Sequence, residues 1–273
     1  MAESSRRTAD PLIRAIALAT EALTEAPAGL LTDFDGTLSP IVADPAASRL
    51  VDGVASSLRA LADRLAVVAI VTGRAPLDAR RMIGVPGLQV AGNHGMEWLE
   101  PGAGAPNPPP EAARVRDRIA AVLAAVPPLP GVAIEDKGLS ATIHYRNAPD
   151  PEAAHRAIVA VLPELGPEGR LELRPGRMSL ELRPIGLGDK GAATRAIIDR
   201  FGLRGAVVMG DDVTDLDMFA AVTERREAGL LRGAIIGVGS DDGETPVSVV
   251  DAADVVLRDP AEAAALLAAL AAG

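Results

Sequence analysis

The chain alternates between continuous apolar runs and segments in which apolar residues recur at helical spacing. An unbroken run of Val, Ile, Leu and Ala is typical of a strand buried on both faces of a parallel sheet. Helical patterns at 11–25, 51–62 and 76–83 separate the first of these runs. The alternation predicts an α/β fold with a doubly wound parallel sheet. The runs, with the polar or glycine-rich residues that end them, are LLTD (30–33), VVAIVTGR (67–74), LQVAGNHG (88–95), GAVVMGDD (205–212), GAIIGVGS (233–240) and DVVLRD (254–259).

The middle of the chain has a different pattern. The segment PGAGAPNPPP (101–110) is too rich in proline and glycine for a helix or a central strand, and indicates a linker. Alternating apolar and polar residues after it are typical of an antiparallel sheet with one face in water. We therefore expect an inserted α+β domain at 105–184 within a core domain formed by 1–104 and 185–273. Its predicted elements are helix 111–125, strands 132–136 and 140–146, helix 151–162, and strands 170–174 and 178–183.

Composition narrows the class of protein. The 273 residues are 48% hydrophobic, which is enough for large cores, and 27 Lys and Arg against 37 Asp and Glu give a net charge of -10. That charge repels a phosphate backbone and argues against a nucleic-acid partner. The absence of cysteine excludes disulfides and thiolate metal sites. Without an apolar run near ~20 residues or an apolar signal core in MAESSRRTAD, we expect no membrane partner and a cytoplasmic location.

Polar side chains follow the ends of several predicted strands. Asp33 and Asp35 follow the first strand, Thr72 follows the second, and Asp211 follows the strand at 205–210. Lys190 stands at the start of a predicted helix. Because the carboxyl ends of parallel strands lie at one edge of the sheet, we expect these groups to converge on one crevice. Two further carboxylates belong to the turn GDDVTD, namely Asp212 and Asp215.

Such a group of carboxylates predicts a metal ion. Carboxylates repel one another and are costly to bury without a shared cation, and oxygen ligands favour a hard ion such as Mg²⁺. A phosphate group would complete the metal shell, with Lys190 offsetting the negative charge and Thr72 donating a hydrogen bond. A DxD pair alone is most often only a turn, so the prediction depends on the other strand ends.

The same residues resemble the motifs of the haloacid dehalogenase-like (HAD) superfamily of phosphohydrolases. These motifs are DFDGT (33–37), TGR (72–74), Lys190 in GDKG, and GDDVTD (210–215). The resemblance implies that Asp33 is the nucleophile and that Asp35 is the general acid and base. It also implies that Mg²⁺ is held by Asp33, the backbone carbonyl of Asp35 and Asp211, with Asp212 and Asp215 as outer supports.

Within that superfamily, the sequence resembles the trehalose-6-phosphate phosphatase family. The stretches that carry this resemblance are DFDGTLSPI (33–41), GNHGMEW (92–98), EDKGLSATIHYRNA (135–148), SLELRP (179–184) and GDDVTDLDMF (210–219). It implies hydrolysis of trehalose 6-phosphate to trehalose and phosphate, an inserted domain that caps the site, and functional pairing with a trehalose-phosphate synthase. The sugar contacts implied in the cap are Glu135, Lys137, Asn147 and Glu181, with His144 and Arg146 as weaker candidates.

Two further residues have two interpretations each. His94 in GNHG is either a structural turn residue or a pocket residue, and Arg74 either pairs with a carboxylate of the core domain or touches substrate. Alternative functions also stay open. They are another sugar phosphatase of the superfamily, acting on sucrose phosphate or mannosyl-phosphoglycerate, a glycosyltransferase that uses DFD as its metal-binding DxD, and a non-catalytic domain that binds sugar phosphate.

Overall fold

A computed structural model describes residues 10–42, 44–161, 171–176, 178–239 and 245–273. The chain divides into two compact units. The core unit comprises the described parts of Met1–Pro106 and Asp189–Gly273, and the inserted unit comprises the described parts of Asn107–Gly188. No helix among these residues is both long and apolar enough to cross a bilayer.

The described residues of the core unit form a seven-stranded sheet. Its order is β11-β10-β9-β1-β2-β3-β4, and all neighbours are parallel except β3 and β4. The predicted parallel sheet is therefore confirmed. The strands, numbered in chain order, are β1 (Ala28–Thr32), β2 (Val67–Val71), β3 (Gln89–Gly92), β4 (Glu97–Leu99), β9 (Gly205–Gly210), β10 (Arg232–Val238) and β11 (Val255–Leu257).

Strand β4 is an antiparallel edge strand that the hydrophobic pattern did not predict. The turn before it has positive φ at Asn93 (48°), His94 (57°) and Gly95 (94°). This short left-handed segment reverses the direction of the chain. A short turn of this kind can join antiparallel strands, whereas parallel strands need a longer crossover connection. The turn is fastened by the indole Nε1 of Trp98, which donates to the carbonyl of Gly95 at 3.2 Å.

Helices cover both faces of the core sheet. Alternate residues of β1 enter different apolar clusters, with Leu30 in one and Leu31 in the other. This is the burial that unbroken apolar strands predict for a doubly wound sheet. The core helices are α1 (Pro11–Leu23), α2 (Val54–Ala62), α3 (Pro76–Ile83), α6 (Lys190–Arg200), α7 (Leu216–Glu227), α8 (Val247–Ala252) and α9 (Pro260–Ala272).

The described residues of the inserted unit form a four-stranded antiparallel sheet with two helices, as predicted. Its order is β5-β6-β8-β7, and its apolar cluster includes Ile143 and Leu180 from the sheet and Val126 and Ile158 from the segments that cover it. The predicted helix end at Leu162 and strand start at Arg170 lie outside the described residues. The elements are α4 (Ala112–Ala125), β5 (Ala133–Asp136), β6 (Ala141–His144), α5 (Pro151–Ala160), β7 (Leu171–Gly176) and β8 (Ser179–Pro184).

Candidate active site

Three adjacent strands place the predicted polar residues at one edge of the core sheet. Asp33 follows β1, Thr72 follows β2 and Asp211 follows β9, and these strands are parallel neighbours with β1 in the centre. The backbone N–H of Asp33 still donates to the carbonyl of Met209 on β9 at 3.0 Å. The two carboxylates therefore start from hydrogen-bonded neighbouring chains, as the strand ends predicted.

Lys190 brings a buried ammonium group to this edge. It is the first residue of α6, which begins there because the Asp189 side chain caps the helix by accepting from the backbone N–H of Ala192 at 2.6 Å. Its Nζ donates to Oδ1 of Asp215 at 2.7 Å and lies 3.1 Å from Oδ1 of Asp33, the latter without hydrogen-bond geometry. Lys190 is 2% exposed. The cation therefore joins the first strand to the GDDVTD turn inside the protein.

Asp215 makes more contacts than the predicted role of an outer support for the metal site requires. It is fully buried, and its Oδ2 accepts from the backbone N–H groups of Asp211 at 3.0 Å and Asp212 at 3.1 Å. One carboxylate thus holds both Lys190 and the backbone that carries Asp211. Asp215 therefore fixes the backbone of the turn. The side chain of Asp211 is oriented by other residues.

The carboxylates of Asp33, Asp211 and Asp215 form a group that can hold a metal ion. One oxygen of each lies within 4.8 Å of the others. Thr37 orients Asp211 by donating from Oγ1 to Oδ1 at 3.0 Å. Gly36 has φ of 78°, and a Cβ at this position would lie 1.9 Å from Oδ2 of Asp211. Only glycine leaves room for this carboxylate.

Burial and mutual repulsion perturb these groups. Burial raises the pKa of Asp33 to about 7, with Lys190 opposing the rise and Asp215 and Asp35 adding to it. Burial also raises the pKa of Asp211 well above its ordinary value, and repulsion from Asp33 and Asp215 adds to the effect. Burial lowers the pKa of Lys190, but attraction to Asp215 and Asp33 outweighs this and the net shift is upward. One lysine thus faces three carboxylates, an excess of negative charge that suits a divalent cation.

The raised pKa of Asp33 predicts how metal binding depends on pH. Its folded-state pKa of about 7 exceeds the ordinary value of 3.8, so ionisation costs stability as pH rises between these values. A divalent cation binds the ionised form and removes this cost. We expect Mg²⁺ to raise the Tm of the protein more at pH 8 than at pH 5, as measured by thermal unfolding with and without the ion.

The variant Asp211→Asn is the control for this measurement. It removes one carboxylate from the group, and we expect the Tm shift caused by Mg²⁺ at pH 8 to become much smaller. A Tm shift that is equal at both pH values, or that persists in the variant, would contradict a metal site at these carboxylates.

Asp35 lies beside this group and has different partners. Its Oδ2 accepts from Nε of Arg74 at 2.6 Å, and its Oδ1 accepts from Nη2 of Arg74 at 2.7 Å and from Oγ of Ser48 at 3.1 Å. Of the two interpretations of Arg74, pairing with a carboxylate of the core is therefore the one observed. Contact with substrate stays a prediction.

Thr72 and His94 are linked through the backbone. Oγ1 of Thr72 accepts from the backbone N–H of Arg74 at 3.2 Å, and the carbonyl of Thr72 accepts from the N–H of His94 at 2.9 Å. A Cβ on Gly73 would lie 2.7 Å from Cε1 and Nε2 of His94, so this glycine admits the imidazole ring. His94 thus has a structural position in the turn before β4, and its pocket role stays a prediction.

The predicted sugar contacts lie on the inserted unit. Glu135 on β5 and Glu181 on β8 flank Thr142 of β6 in one cross-strand row. Oε2 of Glu135 lies 3.4 Å from Nε2 of His144 and 3.9 Å from Nζ of Lys137. Asn147 is exposed in the turn after β6, outside this row. We call this row, with Lys137 and His144 beside Glu135, the polar face of the inserted unit. The sugar-binding role of the predicted residues stays a prediction.

Sequence reasoning missed two polar contacts of this site. Thr37, which holds Asp211, is the last residue of DFDGT and was within reach of motif reasoning. Ser48, which donates to Asp35, lies 13 residues further along the chain in a segment without a motif. No local pattern marks such a residue, because its role arises only when the loop after β1 folds back.

A separate cavity of about 480 Å³ lies at the other edge of the core sheet. Its lining includes Arg204, which precedes β9, and Arg232, which begins β10. Arg232 is already ion-paired with Glu21 at 3.0 Å, and Arg226, also in the lining, is paired with Asp254 at 2.7 Å. None of the predicted site residues lines this cavity.

Comparison with known proteins identifies related sequences. Residues 31–248 match the family described as trehalose-phosphatase. The trehalose-phosphate phosphatase of Mycobacterium avium is 34% identical over 275 residues, which are 92% of this chain and 67% of that protein. A protein of Mycobacterium tuberculosis named an uncharacterized glycosyl hydrolase is 39% identical over 200 residues, 70% of this chain. The match covers 15% of that longer protein.

Solved structures share the fold. The C-terminal domain of trehalose-6-phosphate phosphatase from C. albicans aligns with a TM-score of 0.73 at 24% identity, covering 94% of this chain and 97% of that one. A trehalose-6-phosphate phosphatase related protein aligns with a TM-score of 0.68 at 27% identity, covering 89% of this chain and 97% of that one. These likenesses span both units and agree with the HAD-like fold that the motifs predicted.

Proposed function

Because the chain belongs to the trehalose-phosphatase family, we propose that it hydrolyses trehalose 6-phosphate to trehalose and inorganic phosphate. The observation that carries this proposal is the buried contact of Lys190 with Asp33 and Asp215 beside Asp211. That arrangement supplies a carboxylate nucleophile, a cation for the phosphate, and carboxylates for a metal. The names of the mycobacterial relatives support the substrate.

The first step is attack of Asp33 on phosphorus. One Oδ of Asp33 forms a bond to phosphorus while the bond from phosphorus to the 6-oxygen of the sugar breaks, giving an aspartyl-phosphate. Lys190 stabilises the charge on the phosphoryl oxygens, and the hydroxyl of Thr72 donates to one of them. Mg²⁺, held by Asp33, Asp211 and the backbone carbonyl of Asp35, would neutralise negative charge and orient the phosphate. The oxygen-only donors support Mg²⁺ over softer ions.

Asp35 transfers the protons in both steps. As an acid it gives its proton to the departing 6-oxygen, and as a base it then takes a proton from the water that attacks the aspartyl-phosphate. Hydrolysis breaks the bond from Asp33 to phosphorus and releases inorganic phosphate. Asp35 is again protonated at the end, so each cycle consumes one phosphate ester and one water molecule.

The polar face of the inserted unit supports recognition of the sugar. Sugar hydroxyls both donate and accept hydrogen bonds, and carboxylates, amides and ammonium groups satisfy them in pairs. Glu135, Lys137 and Glu181 of this face offer these groups, together with Asn147 in the turn after β6. We assign the choice of sugar to them, with the inserted unit acting as a cap.

A panel of phosphate esters tests the proposed substrate. We expect phosphate release from trehalose 6-phosphate with Mg²⁺ to have a kcat/KM at least about tenfold above that for glucose 6-phosphate and sucrose 6-phosphate, since a site built for particular hydroxyls rejects sugars that leave them unpaired. Equal values across the panel would overturn the assignment to trehalose 6-phosphate. Preference for sucrose phosphate or mannosyl-phosphoglycerate would select the corresponding phosphatase, and no release from any ester would favour a sugar-phosphate-binding domain.

Variants of the polar face complete this test. Glu181→Gln keeps the size of the side chain and removes its charge, so we expect a higher KM for trehalose 6-phosphate with little change for a small aryl phosphate. Glu152→Gln on α5 is the control, because its side chain is 91% exposed and α5 packs against the Ile143 and Leu180 side of the sheet, opposite Glu181. The cytoplasmic location and the pairing with a trehalose-phosphate synthase stay predictions.

A further inference from the structure

The carboxylate of Asp35 is held at both oxygens although it is partly open to solvent. Its side chain is 39% exposed, yet Oδ2 accepts one hydrogen bond and Oδ1 accepts two. The two from Arg74 form a bidentate pair at 2.6 and 2.7 Å, the geometry in which a guanidinium fixes a carboxylate most firmly. Asp35 is therefore accessible on one side and oriented from the other.

Arg74 is itself fixed by its surroundings. Its side chain is 9% exposed, and the Nη2 that binds Asp35 also donates to the carbonyl of Pro45 at 2.9 Å. The guanidinium carbon lies 5.2 Å from the centroid of the Phe34 ring, within the range of a cation–π contact. Phe34 is fully buried. The Pro45 carbonyl and the buried Phe34 ring therefore set the direction of the guanidinium.

Two buried serines add a further hydrogen bond to Asp35. The Oγ atoms of Ser39 and Ser48 lie 2.6 Å apart, and both residues are fully buried. A hydroxyl has one proton to donate, and Ser48 donates its proton to Oδ1 of Asp35 at 3.1 Å. Two hydroxyl oxygens 2.6 Å apart need a proton between them, so Ser39 directs its proton to Ser48 rather than to the carbonyl of Pro40 at 3.3 Å. Both hydroxyls are aligned toward the same carboxylate oxygen.

We propose that Arg74, Ser48 and Ser39 are positioning residues that set Asp35 for proton transfer, and that Oδ2 is the oxygen that carries the proton. The proposal rests on the function proposed above. A protonated carboxyl must donate from one oxygen, which it cannot do toward an N–H group. Oδ1 already accepts two hydrogen bonds, which use both of its lone pairs, whereas Oδ2 accepts one and keeps a lone pair for the proton.

The proton balance follows from this assignment. In the first step the O–H bond at Oδ2 breaks as the 6-oxygen of the sugar takes the proton, while Nε of Arg74 stays hydrogen-bonded to the other lone pair of Oδ2. In the second step Oδ2 takes a proton from the attacking water at the same free lone pair. Arg74 thus holds Asp35 in one orientation through both transfers.

Leaving-group dependence tests this role. An alkyl 6-oxygen needs a proton to depart, whereas the nitrophenolate of p-nitrophenyl phosphate departs without one. The parameter kcat/KM reports only the steps up to formation of the aspartyl-phosphate. Since positioned acid–base groups contribute about 10²–10⁴-fold, we expect Arg74→Lys to lower kcat/KM at least about tenfold for trehalose 6-phosphate and less than about threefold for p-nitrophenyl phosphate. Ser48→Ala should show the same selectivity with a smaller loss.

The matched control is Arg200→Lys. Arg200 also forms a bidentate pair with a carboxylate, that of Glu100 at 2.5 and 3.1 Å, but lies away from the site residues. We expect its kcat/KM for both esters to match that of the unchanged chain. Equal losses on both esters in Arg74→Lys and Ser48→Ala would overturn the proposal, because a structural defect does not distinguish leaving groups.

A double variant separates this inference from the proposed function. If Arg74 acts through Asp35, adding Arg74→Lys to Asp35→Asn should cause little further loss with trehalose 6-phosphate, whereas independent roles would multiply the two losses. Failure of the unchanged chain to release phosphate from sugar phosphates would overturn the proposed function instead. Circular dichroism shows whether Arg74→Lys folds, and Ser48→Ala gives the deciding result where it does not.

Discussion

Replacement of Asp33 with asparagine is expected to lower phosphate release from trehalose 6-phosphate by at least about 10³-fold, the scale seen when a nucleophile is removed. Asparagine has nearly the same shape but cannot form the aspartyl-phosphate. The measurement is the steady-state release of inorganic phosphate with Mg²⁺. Acid quench of the unchanged chain should trap phosphate on the protein, and the variant should trap none.

Stability provides the control for Asp33→Asn. Because the pKa of Asp33 is raised to about 7, its ionised form costs folding free energy at pH 8 when no metal is bound. Asparagine does not ionise, so we expect the metal-free variant to keep a Tm at pH 8 at least equal to that of the unchanged chain. Phosphate release that survives the substitution would exclude covalent catalysis by Asp33.

Replacement of Lys190 with methionine is expected to impair both stability and activity. Methionine keeps the length of the side chain but leaves Asp33 and the fully buried Asp215 without their cation. Removal of one partner from a buried ion pair costs about 3–5 kcal/mol, so the free energy of unfolding should fall by that amount. Loss of the charge that faces the phosphate should also lower kcat about 10²-fold or more. Urea unfolding and phosphate release measure the two effects.

Arg195→Met on the same helix is the control for Lys190→Met. Arg195 pairs with Glu224 at 3.3 Å, and both side chains are well exposed, at 38% and 61%. Exposed pairs contribute about 0–1 kcal/mol, so we expect a small loss of stability and unchanged phosphate release. If Lys190→Met is no less stable than Arg195→Met, then Lys190 does not neutralise the buried carboxylates.

The hydrophobic pattern predicted most of the core sheet because a strand buried on both faces leaves a simple signal. Strands such as β2 and β9 are unbroken apolar runs, and the polar residues after them fall at one edge by the rule of parallel sheets. Strand β4 gave no comparable signal. It is only three residues long. The turn before it has left-handed backbone at Asn93 and His94, and these residue types indicate that conformation less clearly than glycine does.

The candidate site was predictable only as far as short motifs reach. The motif positions put Asp33, Lys190 and Asp211 together, and the structure brings them to one edge. Motifs do not state which group meets which. The grip of Arg74 on Asp35 joins residues 39 positions apart, and the contribution of Ser48 depends on how the loop after β1 folds. Such contacts arise from tertiary packing, which a local pattern does not record.

The insertion between β4 and β9 has a consequence for synthesis of the chain. The inserted unit is continuous in sequence, so its four described strands leave the ribosome before β9 does. Strand β1 cannot form its hydrogen bonds with β9 until β9 has been synthesised. Contacts such as that of Thr37 with Asp211 join residues 174 positions apart. We therefore expect the inserted unit to fold first during translation, while the edge of β1 stays open and prone to aggregation until residues near 210 emerge.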